Sequence, residues 1–214
     1  MSVVPWATAI SGTSSFSDVK LTTYDPSGLR GLTDAEYATA ISSGFSTINV
    51  RLASNFNVSA PSTINSLTVG PAVTSITGSG PLLITSGVVA LSGDNTAGIV
   101  TRNISVPLSF GTSKAQFHAW GTTTMNSAIS GSGGLVKSGL GDLILKGNTY
   151  TGPTTINSGW LTVYGSVTPS VPGPLGVDSS PVVVDPSGDR ALLVLDGSGS
   201  TEFARDIVVR SSGL

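Results

Sequence analysis

Residues 131–165 read GSGGLVKSGLGDLILKGNTYTGPTTINSGWLTVYG, and this stretch predicts a unit of two short strands. The apolar runs 143–145 and 161–163 flank the segment 147–153, whose glycines and proline exclude a helix. The predicted order is strand, turn, strand, turn. Leu145 and Val163 are 18 residues apart, which is close to one coil of a parallel β-solenoid, with coils stacking about 4.8 Å apart.

The same stretch predicts which side chains face inward. Alternation along each strand turns Leu143, Leu145, Leu161 and Val163 toward a shared apolar column. We expect Tyr150 to cover the end of a column with its ring while its hydroxyl stays in water. Corner residues must tolerate positive φ or close backbone approach, and the candidates are Gly139, Gly141, Gly147 and Asn148.

The stretch resembles the autotransporter-associated β-strand repeat of bacterial surface proteins. The residues that match its pattern are Gly134, Leu135, Lys137, Gly139, Gly141, Leu143, Leu145, Asn148, Tyr150, Gly152, Thr154, Leu161 and Val163. Pro153 and Trp160 stand where the pattern more usually has glycine, and we expect both at turns. The resemblance implies an extracellular passenger region, secreted or displayed at the outer membrane, whose coils serve as a stalk, scaffold or adhesive surface without catalysis.

Composition agrees with stacked strands. Only 10% of the 214 residues are charged, against roughly 25% in ordinary soluble proteins. The formal net charge is −2 and the basic residues are scattered, so no nucleic-acid partner is indicated. Cysteine is absent, which excludes disulfides and thiolate chemistry. No run of apolar residues is long enough for a transmembrane helix, so we expect no membrane insertion by this segment.

The predicted fold is all-β, a right-handed parallel β-helix with a short N-terminal helical cap. Residues 1–44 form the cap region and residues 45–214 the coils, interrupted by a Pro/Gly-rich loop at 167–177. The first residues lack the pattern of a signal peptide. The chain stops directly after the strand-like run 207–209, so we expect a C-terminal truncation and a fragment of a longer protein.

The cap prediction depends on residues 32–41. Thr33 and Glu36 have the spacing of a capping box, and Leu32 can pack on Tyr37 as a hydrophobic staple. These signals predict a helix over this range. We expect the helix to close the open end of the coils, where unpaired backbone groups would otherwise be exposed.

Acidic residues crowd the C-terminal region, and this leaves an enzyme as the alternative. A carbohydrate-active β-helix enzyme, a polysaccharide lyase or hydrolase, needs carboxylates or a carboxylate with a basic residue on one face of successive coils. Asp185 and Asp206 are spaced to stack. The full set is Asp178, Asp185, Asp189, Arg190, Asp196, Glu202, Arg205 and Asp206. Turn chemistry explains most of them, as in the string Asp-Pro-Ser-Gly at Asp25 and at Asp185.

We therefore predict no enzyme and no catalytic, cofactor-binding or metal-binding residues. His118 is the sole histidine and is expected to be a partly exposed strand residue. Two partner classes are expected. Aromatic side chains exposed on one face would stack on surface glycans or contact host or neighbouring cells. The candidates are Trp6, Trp120, Trp160, Tyr24, Tyr150 and Tyr164. A bare final coil, with the β-branched run 207–209, would associate end to end with other copies, as in a self-assembling filament subunit.

Overall fold

The computed structural model describes residues 2–10, 19–42, 44–93, 100–186, 190–197 and 201–210. Within these ranges the protein is all-β, and the sole helix is one 3₁₀ turn, Asp34–Glu36. This confirms the predicted class.

The strands up to residue 69 are β1 (Thr8–Ile10), β2 (Val19–Asp25), β3 (Gly28–Gly31), β4 (Tyr37–Ala38), β5 (Phe45–Leu52), β6 (Phe56–Asn57) and β7 (Ser62–Val69). The next strands are β8 (Ser75–Thr77), β9 (Leu82–Ile84), β10 (Val88–Leu91), β11 (Thr101–Ser105), β12 (Leu108–Ser109), β13 (Ala115–Ala119), β14 (Thr122–Met125) and β15 (Ile129–Ser130). The last are β16 (Leu135–Ser138), β17 (Asp142–Leu145), β18 (Thr154–Ile156), β19 (Gly159–Tyr164), β20 (Val182–Val184), β21 (Ala191–Asp196) and β22 (Ile207–Val209).

The first three strands form an antiparallel sheet in the order β1-β2-β3. The turn between β2 and β3 is the first Asp-Pro-Ser-Gly string. The Ser27 amide donates to Asp25 Oδ1 at 2.8 Å, and Gly28 has φ +119°. The expected Asx-type bond from aspartate to the backbone ahead is therefore present.

The remaining described strands form two sheets in which every pairing is parallel. The short sheet has the order β6-β8-β11-β14-β17-β19-β21. The long sheet holds β4, β5, β7, β9, β10, β12, β13, β15, β16, β18, β20 and β22. We call one passage through a short-sheet strand and the following long-sheet strand or strands a rung, so 142–156 is one rung and 159–184 is the next.

The register between rungs confirms the repeat read from the sequence. Leu145 pairs directly with Val163, and on its other side with Met125. Leu143, Leu145, Leu161 and Val163 are all fully buried. They belong to one hydrophobic cluster that also takes in side chains of the long sheet, such as Ile156. The core therefore lies between the two parallel sheets and continues from rung to rung.

The predicted helix over 32–41 is wrong. After the 3₁₀ turn, the backbone at Tyr37 is extended, with φ −113° and ψ 140°, and Tyr37 pairs with Asn49 in the long sheet. The Thr33 amide does donate to the Glu36 carboxylate at 2.6 Å, but Arg30 also binds that carboxylate through two 2.8 Å bonds. Strand pairing and ion pairing outweigh a capping signal that is worth only about 1 kcal/mol.

Instead of a helical cap, the N-terminal residues cover one side of the long sheet. Strand β10 is buried on both faces: Val89 and Leu91 join the main core, while Val88 and Ala90 pack in a second cluster with Leu21 and other N-terminal residues. The Tyr37 hydroxyl accepts a bond from the buried Leu21 amide at 2.8 Å. The region therefore adds a layer over the outer face, and β4 extends the sheet at its edge.

The Pro/Gly-rich segment 167–177 contains no named strand, and it packs closely on the rung before it. Leu175 is fully buried in the main core. The Val177 amide donates to the Tyr150 carbonyl at 3.0 Å, and Asn148 and Gly173 form a two-way backbone bridge. This cover buries Tyr150, whose hydroxyl bonds Thr154 Oγ1 at 2.8 Å, so the expected solvent-exposed hydroxyl is wrong.

The inward column predicts a strong and position-specific sensitivity to charge. Replacing Leu145 by Asp places an unpaired carboxylate between Met125 and Val163, and we expect a loss of several kcal/mol in the free energy of unfolding. Urea unfolding followed by circular dichroism measures it.

The neighbouring outward residue supplies the matched control. Ile144 lies on the same strand but is only partly buried. Ile144→Asp therefore adds the same charge with a much smaller loss in the free energy of unfolding. Equal unfolding midpoints for the two variants would contradict the assignment of the inward face.

Candidate functional site

Three successive corners, each of which joins a long-sheet strand to a short-sheet strand, bring the most distinctive side chains together. Backbone hydrogen bonds connect these corners. The Gly141 amide donates to the Ala119 carbonyl at 2.9 Å, and the Trp160 amide donates to the Gly141 carbonyl at 3.1 Å. We call residues 119–122, 138–142 and 158–160 the corner stack. Each of its three segments leads from a long-sheet strand into the next short-sheet strand.

Glycine is required where the corners approach most closely. Gly139 and Gly159 have φ +80° and +70°, a region that residues with a Cβ rarely adopt. A Cβ on Gly159 would lie 2.2 Å from the Gly139 carbonyl oxygen. The tight stacking of consecutive corners therefore depends on these glycines.

A buried lysine holds the corners together from inside. Lys137 is fully buried, and its Nζ donates to the carbonyl oxygens of Ser138 at 3.0 Å, Gly139 at 2.6 Å and Ser158 at 3.1 Å. Three acceptors match the three donors of an ammonium group. Lys137 therefore ties one corner to the next, a role that the repeat pattern alone did not reveal.

Burial governs the titration of this lysine. Desolvation lowers the pKa of Lys137 to about 7, and the negative charge of nearby Asp142 opposes the shift. The carbonyl dipoles around Nζ also favour the charged form. Lys137 is thus a buried amine that ionises far more easily in the unfolded chain than in the folded one.

Two buried arginines bind carbonyl oxygens in the same way. Arg102 donates to the Ser92 carbonyl at 2.6 Å and to the Val73 carbonyl at 3.3 Å, and burial lowers its pKa to about 10. Arg205 donates to the carbonyls of Leu175 at 3.0 Å and Ser180 at 2.9 Å. These cations satisfy backbone acceptors that leave the sheets at corners, which is a structural task.

A groove lies on the outside of the corner stack. It encloses about 230 Å³, and we call it the Trp groove. Its lining residues are Trp120, Gly121, Thr122, Leu140, Gly141, Asp142 and Trp160. The structure corrects the expected turn position of Trp160, which is the second residue of β19 and pairs with Asp142 in the adjacent strand.

Asp142 places a half-buried carboxylate in this groove. The Thr162 hydroxyl lies 2.9 Å from Oδ1 and 3.1 Å from Oδ2. Burial raises the pKa of Asp142, while the Thr162 hydrogen bond and the Lys137 charge act in the opposite direction. The carboxylate oxygens retain acceptor capacity beyond the hydrogen bonds that the Thr162 hydroxyl and backbone amide supply.

The structure does not bring Asp185 and Asp206 together, although their spacing made them the candidate catalytic pair. The pairing of Val184 with Val209 brings Asp185 beside Arg210, with Oδ2 at 3.4 Å from Nη1. Asp185 and Asp206 therefore lie toward opposite ends of the paired strands and do not stack.

The other members of that set are also dispersed. Asp178 accepts bonds from the Ser180 amide and hydroxyl at 3.1 Å, and Asp196 pairs with Tyr164 at the end of β21. Asp189 lies outside the described residues. Among the residues described, no three His, Asp or Glu side chains are placed to hold a metal ion.

His118 is more buried than expected. Its side chain lies under the N-terminal segment, with Nε2 at 2.8 Å from the Pro5 carbonyl oxygen. Burial lowers the pKa of His118, so the imidazole is a neutral donor to this carbonyl at pH 7. It anchors the N-terminal layer, and sequence reasoning missed this because Pro5 is 113 positions away.

The aromatic residues divide into separate surfaces. Trp120 and Trp160 share the Trp groove, whereas Trp6 and Tyr24 line a second groove of about 380 Å³ on the N-terminal layer. Tyr164 is exposed, with Lys146 Nζ 6.0 Å from its ring centroid. The sequence named these aromatics but could not show which would meet.

The comparisons with known proteins agree with the repeat. Residues 135–163 match the family described as the passenger-associated-transport-repeat, which confirms the resemblance drawn from the sequence. The match covers both strands that pair Leu145 with Val163. Neither a curated protein nor a solved structure matches the chain.

The described residues also include no helix with the length and apolar character needed to cross a membrane.

The buried lysine predicts a measurable pH dependence. The pKa of Lys137 is about 7 in the folded protein and about 10.5 in an unfolded chain, so the unfolded state binds more protons between these values. The free energy of unfolding should therefore rise with pH across this window, by up to about 1.4 kcal/mol per pH unit near pH 8 to 9.

The variant Lys137→Met isolates this contribution, because all other titrating groups are shared with the wild type. Urea unfolding at pH 7, 8 and 9 should show the wild type gaining stability relative to the variant as pH rises. A constant difference across the three pH values would show that Lys137 has an ordinary pKa in the fold.

Proposed function

We propose that this chain is a right-handed parallel β-helix that acts as a non-catalytic stalk, scaffold or adhesin passenger region. It is secreted or displayed on the surface of a bacterial cell. The single observation that carries the proposal is the direct parallel register of one rung on the next, with a continuous apolar core between the sheets. The right-handed sense is the usual one for parallel crossover connections.

Such a stack suits a mechanical or display role. Each rung contacts mainly its neighbours, so length is added by repeating a unit and stiffness follows from the shared core. The outward side chains of the short sheet do not form part of the core, so they can vary without disrupting it. Charged groups are few, and three of the ten basic residues, Arg102, Lys137 and Arg205, are buried on carbonyl oxygens.

The match to the passenger-associated-transport-repeat supports the surface location. The absence of cysteine fits transport across an oxidising compartment before folding, since no premature disulfide can form. Two of the carboxylates that a polysaccharide-cleaving alternative would use, Asp178 and Asp185, are instead occupied in a turn and in the pair with Arg210.

Surface display of the folded chain tests the proposal. Expressed behind a secretion signal and ahead of an outer-membrane anchor, the chain should be labelled by antibody on intact bacteria. It should also resist external protease, because its core strands are fully buried. The control is Leu145→Asp, which should be displayed but cleaved. Retention inside the cell, or cleavage of both chains at equal rates, would overturn the proposal.

End-to-end association is a second candidate function, favoured by the last described rung. Ile207, Val208 and Val209 are all exposed, Val209 at 70%. The Arg210 amide donates to Val184 and the Asp206 carbonyl accepts from Val182, both at 2.8 Å. Because backbone groups alternate along a strand, those of Ile207 and Val209 point to the open edge. This edge can pair with a second copy.

The double variant Val208→Lys/Val209→Pro should abolish association. Proline at 209 removes an edge donor without breaking a bond to β20, and lysine adds repulsion between copies. Sedimentation velocity over a wide concentration range should show dimers or larger species for the wild type and monomers for the variant.

Tyr24→Lys is the matched control, since Tyr24 is an exposed residue of the N-terminal sheet, away from β22. It adds the same charge and should leave association intact. A wild type that remains monomeric at every concentration would exclude the filament role for this chain.

A further inference from the structure

Trp160 is a large aromatic side chain that the core does not use. It is 48% exposed on the outward face of β19. The two hydrophobic clusters formed by the described residues do not contain it. Burial is what normally makes an aromatic residue stabilising, and about half of the Trp160 surface is left open to solvent.

The opposite side of the Trp groove is anchored. Trp120 is partly buried and packs against the second cluster, which contains Val88 and Ala90 of β10. Its backbone amide donates to the Leu91 carbonyl at 3.0 Å. Leu140 adds an exposed apolar side chain to the same groove. The groove therefore combines one fixed indole, one exposed indole and an aliphatic contact.

Two glycines contribute backbone alone to the lining of the groove. Gly121 and Gly141 line it without side chains, and a Cβ on Gly141 would lie 2.3 Å from the Gly121 carbonyl oxygen. The close approach of the two corners thus demands glycine at 141. The same requirement leaves backbone, and no side chain, at that point of the groove.

The polar groups of the groove are an acceptor and a hydroxyl. Asp142 contributes the half-buried carboxylate, oriented by Thr162, and Thr122 lies beside it in the adjacent strand. No lining residue carries a positive charge, and the Lys137 ammonium underneath is occupied by three carbonyl oxygens. The groove therefore favours a ligand that donates hydrogen bonds and carries no negative charge.

We propose that the Trp groove is a glycan-binding subsite that takes one neutral hexopyranose ring, stacked on Trp160 and donating a hydroxyl to Asp142. A sugar ring has an apolar face of C–H groups and an edge of hydroxyls, which matches an indole beside a carboxylate. A volume of about 230 Å³ is below the usual range for drug-sized ligands, roughly 300–1,000 Å³, and fits a single ring.

The subsite gives the adhesin form of the proposed function a ligand class, and it rests on that function only for its biological setting. Binding is measured on the purified chain, so it is independent of display. A chain that is displayed but binds no sugar would contradict the subsite alone. A chain that binds sugar but is not displayed would contradict the surface role alone.

The three tryptophans allow a site-resolved measurement. Each indole N–H gives one signal in a ¹⁵N-correlated NMR spectrum, and the chain contains only Trp6, Trp120 and Trp160. Cellohexaose, maltohexaose and mannohexaose are titrated separately, with polygalacturonate as the acidic probe and a proline-rich peptide as the protein-type probe. We expect at least one neutral hexaose to shift the signals of Trp120 and Trp160 while leaving that of Trp6 unchanged.

Three variants locate the binding. Trp160→Ala should weaken binding at least tenfold, and Asp142→Asn should weaken it about threefold by replacing a charged acceptor with a neutral one. Trp6→Ala is the matched control, because it removes another exposed indole and should leave the affinity unchanged. Urea unfolding of each variant verifies that the fold persists, which the exposure of Trp160 leads us to expect.

Several outcomes would overturn the subsite. These are no shift of Trp160 with any neutral hexaose at 10 mM, shifts of equal size at Trp6, and unchanged affinity in Trp160→Ala. Binding of polygalacturonate as tight as that of the neutral sugars would contradict the role assigned to Asp142. A stronger response to the proline-rich peptide would make the groove a peptide-docking surface.

Discussion

The structure depends above all on the parallel register that sets each inward side chain directly on its counterpart in the next rung. Leu145 lies between Met125 and Val163 in this way. The backbone bonds between rungs and the apolar contacts inside them require the same alignment, so each reinforces the other. A shift of one residue would turn a strand's apolar side chains to solvent. The core therefore specifies the register, and the register determines what reaches the outer surface.

The corners are where this regular stacking is hardest to satisfy, because carbonyl groups leave the ladders there. Glycine at 139 and 159 provides the close approach, and the buried ammonium of Lys137 takes up three carbonyl oxygens. A cation in the interior costs desolvation free energy, as its lowered pKa records, but it satisfies several acceptors at once. The same corners carry the Trp groove on their outer side, so the buried lysine inside and the exposed groove outside share one backbone.

The N-terminal residues show how a parallel stack can be covered without a helix. They pack over the outward face of β10, and His118 and Tyr37 each contribute one buried hydrogen bond to the joint. Strand β4 then continues the long sheet at its edge. This N-terminal layer buries apolar residues on both faces of the strands that it covers. Among the described residues, the edge at β22 has no such cover.

The sequence by itself determined the repeating unit: the spacing of apolar pairs, the glycine corners and the pairing of Leu145 with Val163, because these follow from local periodicity and backbone sterics. It named Trp120 and Trp160 but not their meeting, and it missed the anchoring roles of Lys137 and His118. It predicted a helix over 32–41, since Thr33 and Glu36 carry a genuine local signal. Only the tertiary structure decided these points. Contacts between residues far apart in the chain, such as His118 with Pro5, produce no periodic pattern in the sequence. Such contacts also outweigh local preferences of about 1 kcal/mol.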